Sequence, residues 1–348
     1  MADSYNEIFG LGTHSEDADL AFWLKMDEFA LDTVVADSSS NGNNFTAQRN
    51  TSVMQTSTGP NSWISDSFDF IPNNDYLSAT YGTGTGTMSM LMWVEPDDIG
   101  GGEHYIGGTQ DSNRDGSRFI RRDGSQLELE ANAGSTQLLL NYNAGALAAG
   151  TWQHIGYVFE DLTTSHDLRY YADGSLVKTV NDTNNTYVAN LTDFKIGRRP
   201  DSNAGYWDGK IAHWAQFTRA LTDDEVSEVY SGPEPLNDVA PTVSGSSFLV
   251  CSPGFWDSQS NGTVTYSYQW TRSDDAVGTG EADISGETSS TYTVQSPADD
   301  GKWIRCRVAA SNDGGNDSAQ DTGSNFIAVS GGFQVAWASS ATVVARSL

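Results

Sequence analysis

The apolar residues of this 348-residue chain come in runs too short and too closely punctuated to be helices. LAFWLKM (20–26), SFDFIP (67–72), TMSMLMWVEP (87–96), HIGYVFED (154–161) and LRYYADGSLVKTV (168–180) are rich in aromatic and branched side chains. Gly, Asn, Asp or Pro bounds each run, which predicts strands closed by tight turns. In the third run Met88, Met90, Met92 and Val94 fall on one face and Leu91 and Trp93 on the other. Both faces are apolar, so an inner strand covered on both sides is expected. Asp173-Gly174 lies between two strand-like halves, and both residues tolerate positive φ, which predicts a type I′ hairpin.

One stretch departs from this pattern. RALTDDEVSEVYSG (219–232) reads as a short helix. Thr222 and Glu225 have capping-box spacing, and Leu221 and Val226 have hydrophobic-staple spacing. Asp223, Asp224 and Glu225 crowd the first turn, where the helix dipole favours negative charge. Val226, Val229 and Tyr230 form the apolar stripe, and Gly232-Pro233 stops the helix. A helix this short is unstable alone, so it must dock on the sheet.

SGPEPLNDVAP (231–241) carries three prolines and few large apolar residues, the composition of a boundary. The chain divides accordingly into an arm (1–19), a first domain (20–231), a linker (232–240), a second domain (241–330) and a tail strand (331–348). The tail, FQVAWASSATVVARSL, alternates weakly and reads as a strand without a partner in its own domain.

The first domain presents VVADSSSNGNNFTA, SFDFIPNNDYLSA, TMSMLMWVEP, TWQHIGYVFED, LRYYADGSLV, KIGRRP and GYWDGKIAHWAQFTRALTDDEVSEVY in that order. This order resembles the laminin-G-like, concanavalin-A-like jelly rolls, and the closing strand followed by RALTDDEV is its most specific part. The resemblance implies a two-sheet β-sandwich that binds carbohydrate or protein, often with a structural calcium. Two motifs depart from the family pattern. Gly209-Lys210-Ile211-Ala212-His213 lacks the usual acidic pair, and the Asp37–Phe45 loop has lost two glycines.

In the second domain Cys251, Trp270 and Cys306 are set in SPGFW, VTYSYQW and KWIRCRV. This Cys…Trp…Cys pattern resembles the immunoglobulin-like sandwich, in the form common in bacterial surface and phage structural proteins. The resemblance implies a Cys251–Cys306 disulfide across the sheets; two reduced, buried thiols are the alternative. Ile304 stands where the family's corner tyrosine would be. The fold class expected is all-β, with two sandwiches and one capped helix.

Charge narrows the partners. Asp and Glu number 46 against 18 Lys and Arg, a net charge of −28. That disfavours nucleic acid and anionic lipid, and no run is long enough to span a bilayer. The segment MADSYNEIFGLGTHSEDADL, as written, lacks the basic and apolar regions of a secretory signal.

The candidate sites are few. Tyr206 and Trp207, with Arg198 and Arg199 before them, are a candidate stacking platform for sugars. Asp111, Asn113 and Asp115 have the spacing of a calcium loop, but Arg122 occupies the position of the closing acid. Glu128 and Glu130 share a strand face and could support a retaining glycosidase; without a third acid a solvated face is the simpler expectation. The five histidines show no paired metal spacing. The expectation is therefore a non-enzymatic virion protein (capsid decoration, head fibre or tail fibre) that could bind carbohydrate, such as a surface glycan, or a host surface. Its partners would be capsid or tail proteins, met through the arm or the tail strand, and it would be a homo-oligomer. Calcium is the candidate cofactor. A secreted or cell-surface bacterial lectin is the alternative.

Overall fold

The structure is a computed structural model. It describes residues 19–61, 64–72, 74–80, 86–109, 116–133, 136–142, 147–162, 164–183, 187, 193–232, 236–258, 262–312, 315–317, 324–330 and 334–336. The chain forms two compact units, Met1–Gly232 and Pro233–Leu348.

The first unit is a sandwich of two antiparallel sheets. The first sheet runs Ser175–Asp182, His166–Ala172, Gln153–Asp161, Met88–Pro96, Gly209–Phe217, Ser67–Phe70, Gln55–Thr56, with Leu20–Leu24 also paired to Gly209–Phe217. The second runs Thr136–Tyr142, Gln126–Ala133, Arg118–Asp123, Glu103–Thr109, Asp193–Ile196, Leu77–Thr80, Phe45–Ala47, Val34–Val35. Both sheets contribute to one core. Met88, Met90, Met92 and Val94 from the first meet Ile106, Ile120, Leu127 and Leu129 from the second.

The opposite face of Met88–Pro96 is also covered, as its two apolar faces require. Leu91 packs with Trp23, Val158, Phe217, Leu221, Val226 and Val229 under the helix Asp223–Ser231. Trp93 packs with Ile64, Ala212 and Tyr230. The helix has a complete capping box between Thr222 and Glu225, and its first residues are held by Arg219, which forks onto Glu225 at 2.7 and 2.8 Å. Asp173 and Gly174 both have positive φ, 48° and 74°, at the hairpin between His166–Ala172 and Ser175–Asp182. A side chain at Gly174 would meet the Tyr230 ring at 2.8 Å, so this glycine also lets the helix approach the hairpin.

The second unit is a smaller sandwich. Thr242–Gly245, Phe248–Ser252 and Thr291–Thr293 form one sheet, and Ala282–Asp283, Thr265–Ser273, Trp303–Asn312, Ile327–Ser330 and Gln334–Ala336 the other. Leu249, Cys251 and Tyr292 of the first meet Trp270, Ile304, Cys306 and Val308 of the second. A corner of this sandwich is tied by Asp299. Its fully buried carboxylate accepts from Tyr292 Oη (2.6 Å), Gln295 N (2.7 Å) and Arg272 Nη2 (2.5 Å).

Two expectations are corrected here. The stretch read as linker, 232–240, contains the strand Leu236–Val239, which pairs with Phe255–Asp257 in the second unit. Prolines flank that strand at 235 and 241 and leave its interior free of them, so its ladder is not interrupted. The tail strand is not unpartnered either. Gln334–Ala336 pairs antiparallel with Ile327–Ser330, because the two are close enough in sequence to close as a hairpin. The rest of the tail lies outside the described residues, as does the arm up to residue 18. Asp19, its last position, accepts a hydrogen bond from Thr218 N.

Candidate functional site

The face of the second sheet turned away from the core carries Arg121, Glu128 and Glu130 beside the rings of Tyr105 and Phe119. Arg118–Asp123 alternates so that Ile120 enters the core and Arg121 leaves it. Arg121 lies opposite Tyr105 on one neighbouring strand and Glu128 on the other. Its Nε donates to Glu128 Oε2 (2.5 Å), and its Nη1 donates to Tyr105 Oη (3.0 Å) and contacts Glu103 Oε1 (2.9 Å). Burial works to lower the Arg121 pKa, but Tyr105 and Glu128 outweigh it and hold the guanidinium charged. Tyr105 packs on Phe119 at 5.0 Å, and Arg199 reaches its ring at 5.8 Å while pairing with Asp201 at 2.6 Å. One network thus joins three strands to the 197–207 segment.

Glu128 and Glu130 do share a strand face, but it is not solvated. Glu128 is buried against Arg121 and also accepts from Gln126 Nε2 at 3.2 Å. Glu130 is fully buried beside Asn132, whose side-chain amide donates to it. Cross-strand pairing is what sequence reading missed. RFIRRD shows three arginines, and only the register shows that one of them meets Glu128.

The proposed stacking platform does not form. Trp207 is fully buried in the main core, where Arg122 lies over its ring at 5.7 Å. The strand that follows carries Trp207 inward, because Gly209–Phe217 is an inner strand buried on both faces. Tyr206 is half-buried, and its carbonyl contacts His104 Nδ1 at 2.6 Å. Arg198 lies 3.8 Å over the ring of Tyr76 and donates to Asn203. The structure therefore separates the three residues: one in the core, one at the surface and one stacked on a different aromatic.

Asp111, Asn113 and Asp115 lie outside the described residues. Among the described residues no group of three or more His, Cys, Asp or Glu side chains is arranged to hold a metal ion. Asp208 and Asp69 gather near Asp97 beside the start of Gly209–Phe217. Burial first, and then the Asp97 charge, pushes both carboxyls up. In the second unit Cys251 and Cys306 are buried neighbours across the two sheets, hydrogen-bonded and without an S–S bond. The bond to Cys251, together with burial, pushes the Cys306 thiol up.

Residues 71–227 match the family model described as the concanavalin A-like lectin/glucanases superfamily. The first unit carries a concanavalin-A-like jelly-roll domain. Solved structures similar to the chain include domain 4 of AbnA, a GH43 extracellular arabinanase from Geobacillus stearothermophilus, in complex with arabinotriose. That match has 14% identity over 61% of this chain and 98% of the other, with a TM-score of 0.43. The binding domain of Paraclostridial Mosquitocidal Protein 1 matches at 12% identity over 68% and 65%, with a TM-score of 0.49. The receptor binding domain of the botulinum neurotoxin C/D mosaic serotype matches at 12% identity over 84% and 73%, with a TM-score of 0.46. No curated protein matches the chain. In this lectin-like domain the polar network around Arg121 is on the outward face of the second sheet, and the apolar core fills the space between the sheets.

Proposed function

We propose that the chain is a non-enzymatic binding protein that holds a glycan at the edge of the Arg121 network. The supporting observation is the network itself. Glu103, Arg121, Glu128 and Tyr105 place carboxylate, guanidinium and phenol groups side by side on a sheet face. Such groups suit the paired hydroxyls of a sugar, and the half-exposed Glu103 gives access to them. The carboxylates act as hydrogen-bond acceptors in this reading. Glu128 is occupied by Arg121 and Gln126, so it is poorly placed to pass a proton to a leaving group. A glycan array with the full chain tests the reading. Binding that Glu103→Ala abolishes, with the fold intact by circular dichroism, is the expected result. Silence on the array, or binding indifferent to Glu103→Ala, would overturn it.

The setting we propose is the surface of a virion, where the second unit would act as an immunoglobulin-like spacer. The high negative charge, which keeps a surface protein off nucleic acid and anionic membrane, supports this setting. A secreted or cell-surface bacterial lectin is the competing setting. Mass spectrometry of purified particles against the cell-envelope fraction separates the two, and enrichment in the envelope would refute the virion placement.

A further inference from the structure

Arg118 opens the strand Arg118–Asp123 and is turned to the core side, where it is fully buried. Its Nη1 donates to the carbonyls of Gly116 (3.1 Å), Ser117 (2.9 Å) and Asn132 (3.3 Å). Its guanidinium carbon lies 4.3 Å from the ring centre of Phe159 and 5.6 Å from that of Tyr187. Its Nε and Nη2 meet no acceptor among the described residues. Arg49, Arg121, Arg169, Arg199, Arg219, Arg272, Arg305 and Arg307 each pair with a carboxylate. In a chain with 46 acidic residues a carboxylate partner is easily supplied, yet Arg118 makes no ion pair with a described residue. The nearby Asp161 lies 2.6 Å from His166 Nδ1 and makes no ion pair with Arg118. Thr109 stands directly opposite Arg118 in the strand pair, also buried, with its hydroxyl unpartnered among the described residues.

We propose that Arg118 and Thr109 bind a small oxyanion, a carboxylate or sulfate group that presents two oxygens to the Nε–Nη2 edge. A buried guanidinium with no carboxylate of a described residue in ion-pair reach is costly, and its Nε–Nη2 edge has the fork geometry that matches a carboxylate or sulfate. The Thr109 hydroxyl supplies a third donor on the same face. Removal from water strengthens each of these bonds, which lets one buried cation act against the repulsion of a strongly acidic chain. The proposal stands apart from the glycan reading, whose residues lie on the opposite face of the same sheet. The oxyanion could be free in solution or carried by an acidic sugar.

The test is titration calorimetry on the full chain at constant ionic strength, with acetate, sulfate, glucuronate and glucose as probes. We expect saturable binding of acetate or sulfate, which identifies a free anion, or of glucuronate alone, which identifies an acidic sugar. Any heat from glucose would come from the glycan site and should be unchanged in the Arg118 and Thr109 variants. Arg118→Gln should abolish binding. Arg118→Lys, which keeps the charge and loses the fork, and Thr109→Val should each weaken it roughly ten-fold, the scale of one charge-assisted hydrogen bond. Should Arg118→Gln fail to fold, the other two variants carry the test. No binding of any anion by the wild type, or binding unchanged in folded Arg118→Lys and Thr109→Val, overturns the proposal.

Discussion

Glu225 is the point at which the docked helix is most open to perturbation. Its carboxylate accepts from Thr222 N at 2.8 Å and Thr222 Oγ1 at 3.0 Å, and both of its oxygens take the Arg219 fork. Burial alone would raise its pKa, but Arg219 and the Thr222 donors outweigh that and bring it from 4.5 to about 2. A depressed carboxylate contributes stability that is complete above the unfolded value and lost as pH falls toward the folded one. That difference corresponds to at most about 3 kcal/mol. With the side chain 16% exposed, solvent screening reduces it to about 2 kcal/mol. Glu225→Gln keeps an acceptor for the capping box and removes the charge, so it should cost about 2 kcal/mol at pH 7. Glu225→Ala also loses the cap, for about 1 kcal/mol more. In a unit of this size the Gln variant should melt about 4–8 °C below wild type. Calorimetry of the full chain from pH 7 down to pH 3 is the assay, and the gap between wild type and Glu225→Gln should narrow as pH falls below 4.5. A gap under 1 °C at pH 7, or one that stays constant to pH 3, would refute the reasoning.

Three further outcomes are expected. His154 is buried between Trp93 and Tyr230, its ring 5.2 and 5.6 Å from theirs, and burial pushes its pKa down to about 3. The unfolded chain therefore takes up the proton first, and stability should fall as pH drops below 6.5, by about 2 kcal/mol at pH 5. His154→Phe should flatten that part of the acid limb in chemical denaturation. Asp208→Asn relieves the repulsion with Asp97 and should stabilise by about 0.5 kcal/mol at pH 7, the size of a screened surface interaction, with a smaller gain in acid. Oxidation of Cys251 and Cys306, 55 residues apart, should stabilise the second unit by roughly 4 kcal/mol in the loop-entropy model, and Cys251→Ser should abolish the gain measured with and without reductant.

The fold was legible where short-range chemistry decides it. Thr222, Glu225, Leu221 and Val226 carry the start of the helix in their spacing, and Asp173-Gly174 carries a hairpin in its tolerance of positive φ. Met88–Pro96 could be read as an inner strand because both of its faces are apolar. The site was hard to read because its residues meet across strands. Nothing local distinguishes Arg118, Arg121 and Arg122, which stand close together in one strand. The register sends Arg121 outward to Glu128 and Arg118 and Arg122 toward the core. Trp207 failed for the same reason, since an aromatic beside a polar loop can point either way and the inner strand after it settled the matter.

That alternation has a consequence for function. A strand with Ile120 alone on its core side would complete an ordinary apolar interior. This one places a guanidinium at each end of that side: Arg122 donates to the Gly100 carbonyl at 3.0 Å and leaves Nε without an acceptor among the described residues, and Arg118 leaves both Nε and Nη2 without one. Burying cations at the ends of a core is expensive unless each is satisfied. Arg122 spans to loop carbonyls and lies near Asp98 and Asp208. Arg118 has the Phe159 and Tyr187 rings and, among the described residues, no carboxylate partner. Replacing Arg118 with an apolar residue of similar volume removes that cost and also strips the Gly116, Ser117 and Asn132 carbonyls of their donor. Arg118→Met should therefore melt close to wild type in anion-free buffer and lose any response to an oxyanion. If folded Arg118→Met responds to an oxyanion as wild type does, the free edge of Arg118 is incidental.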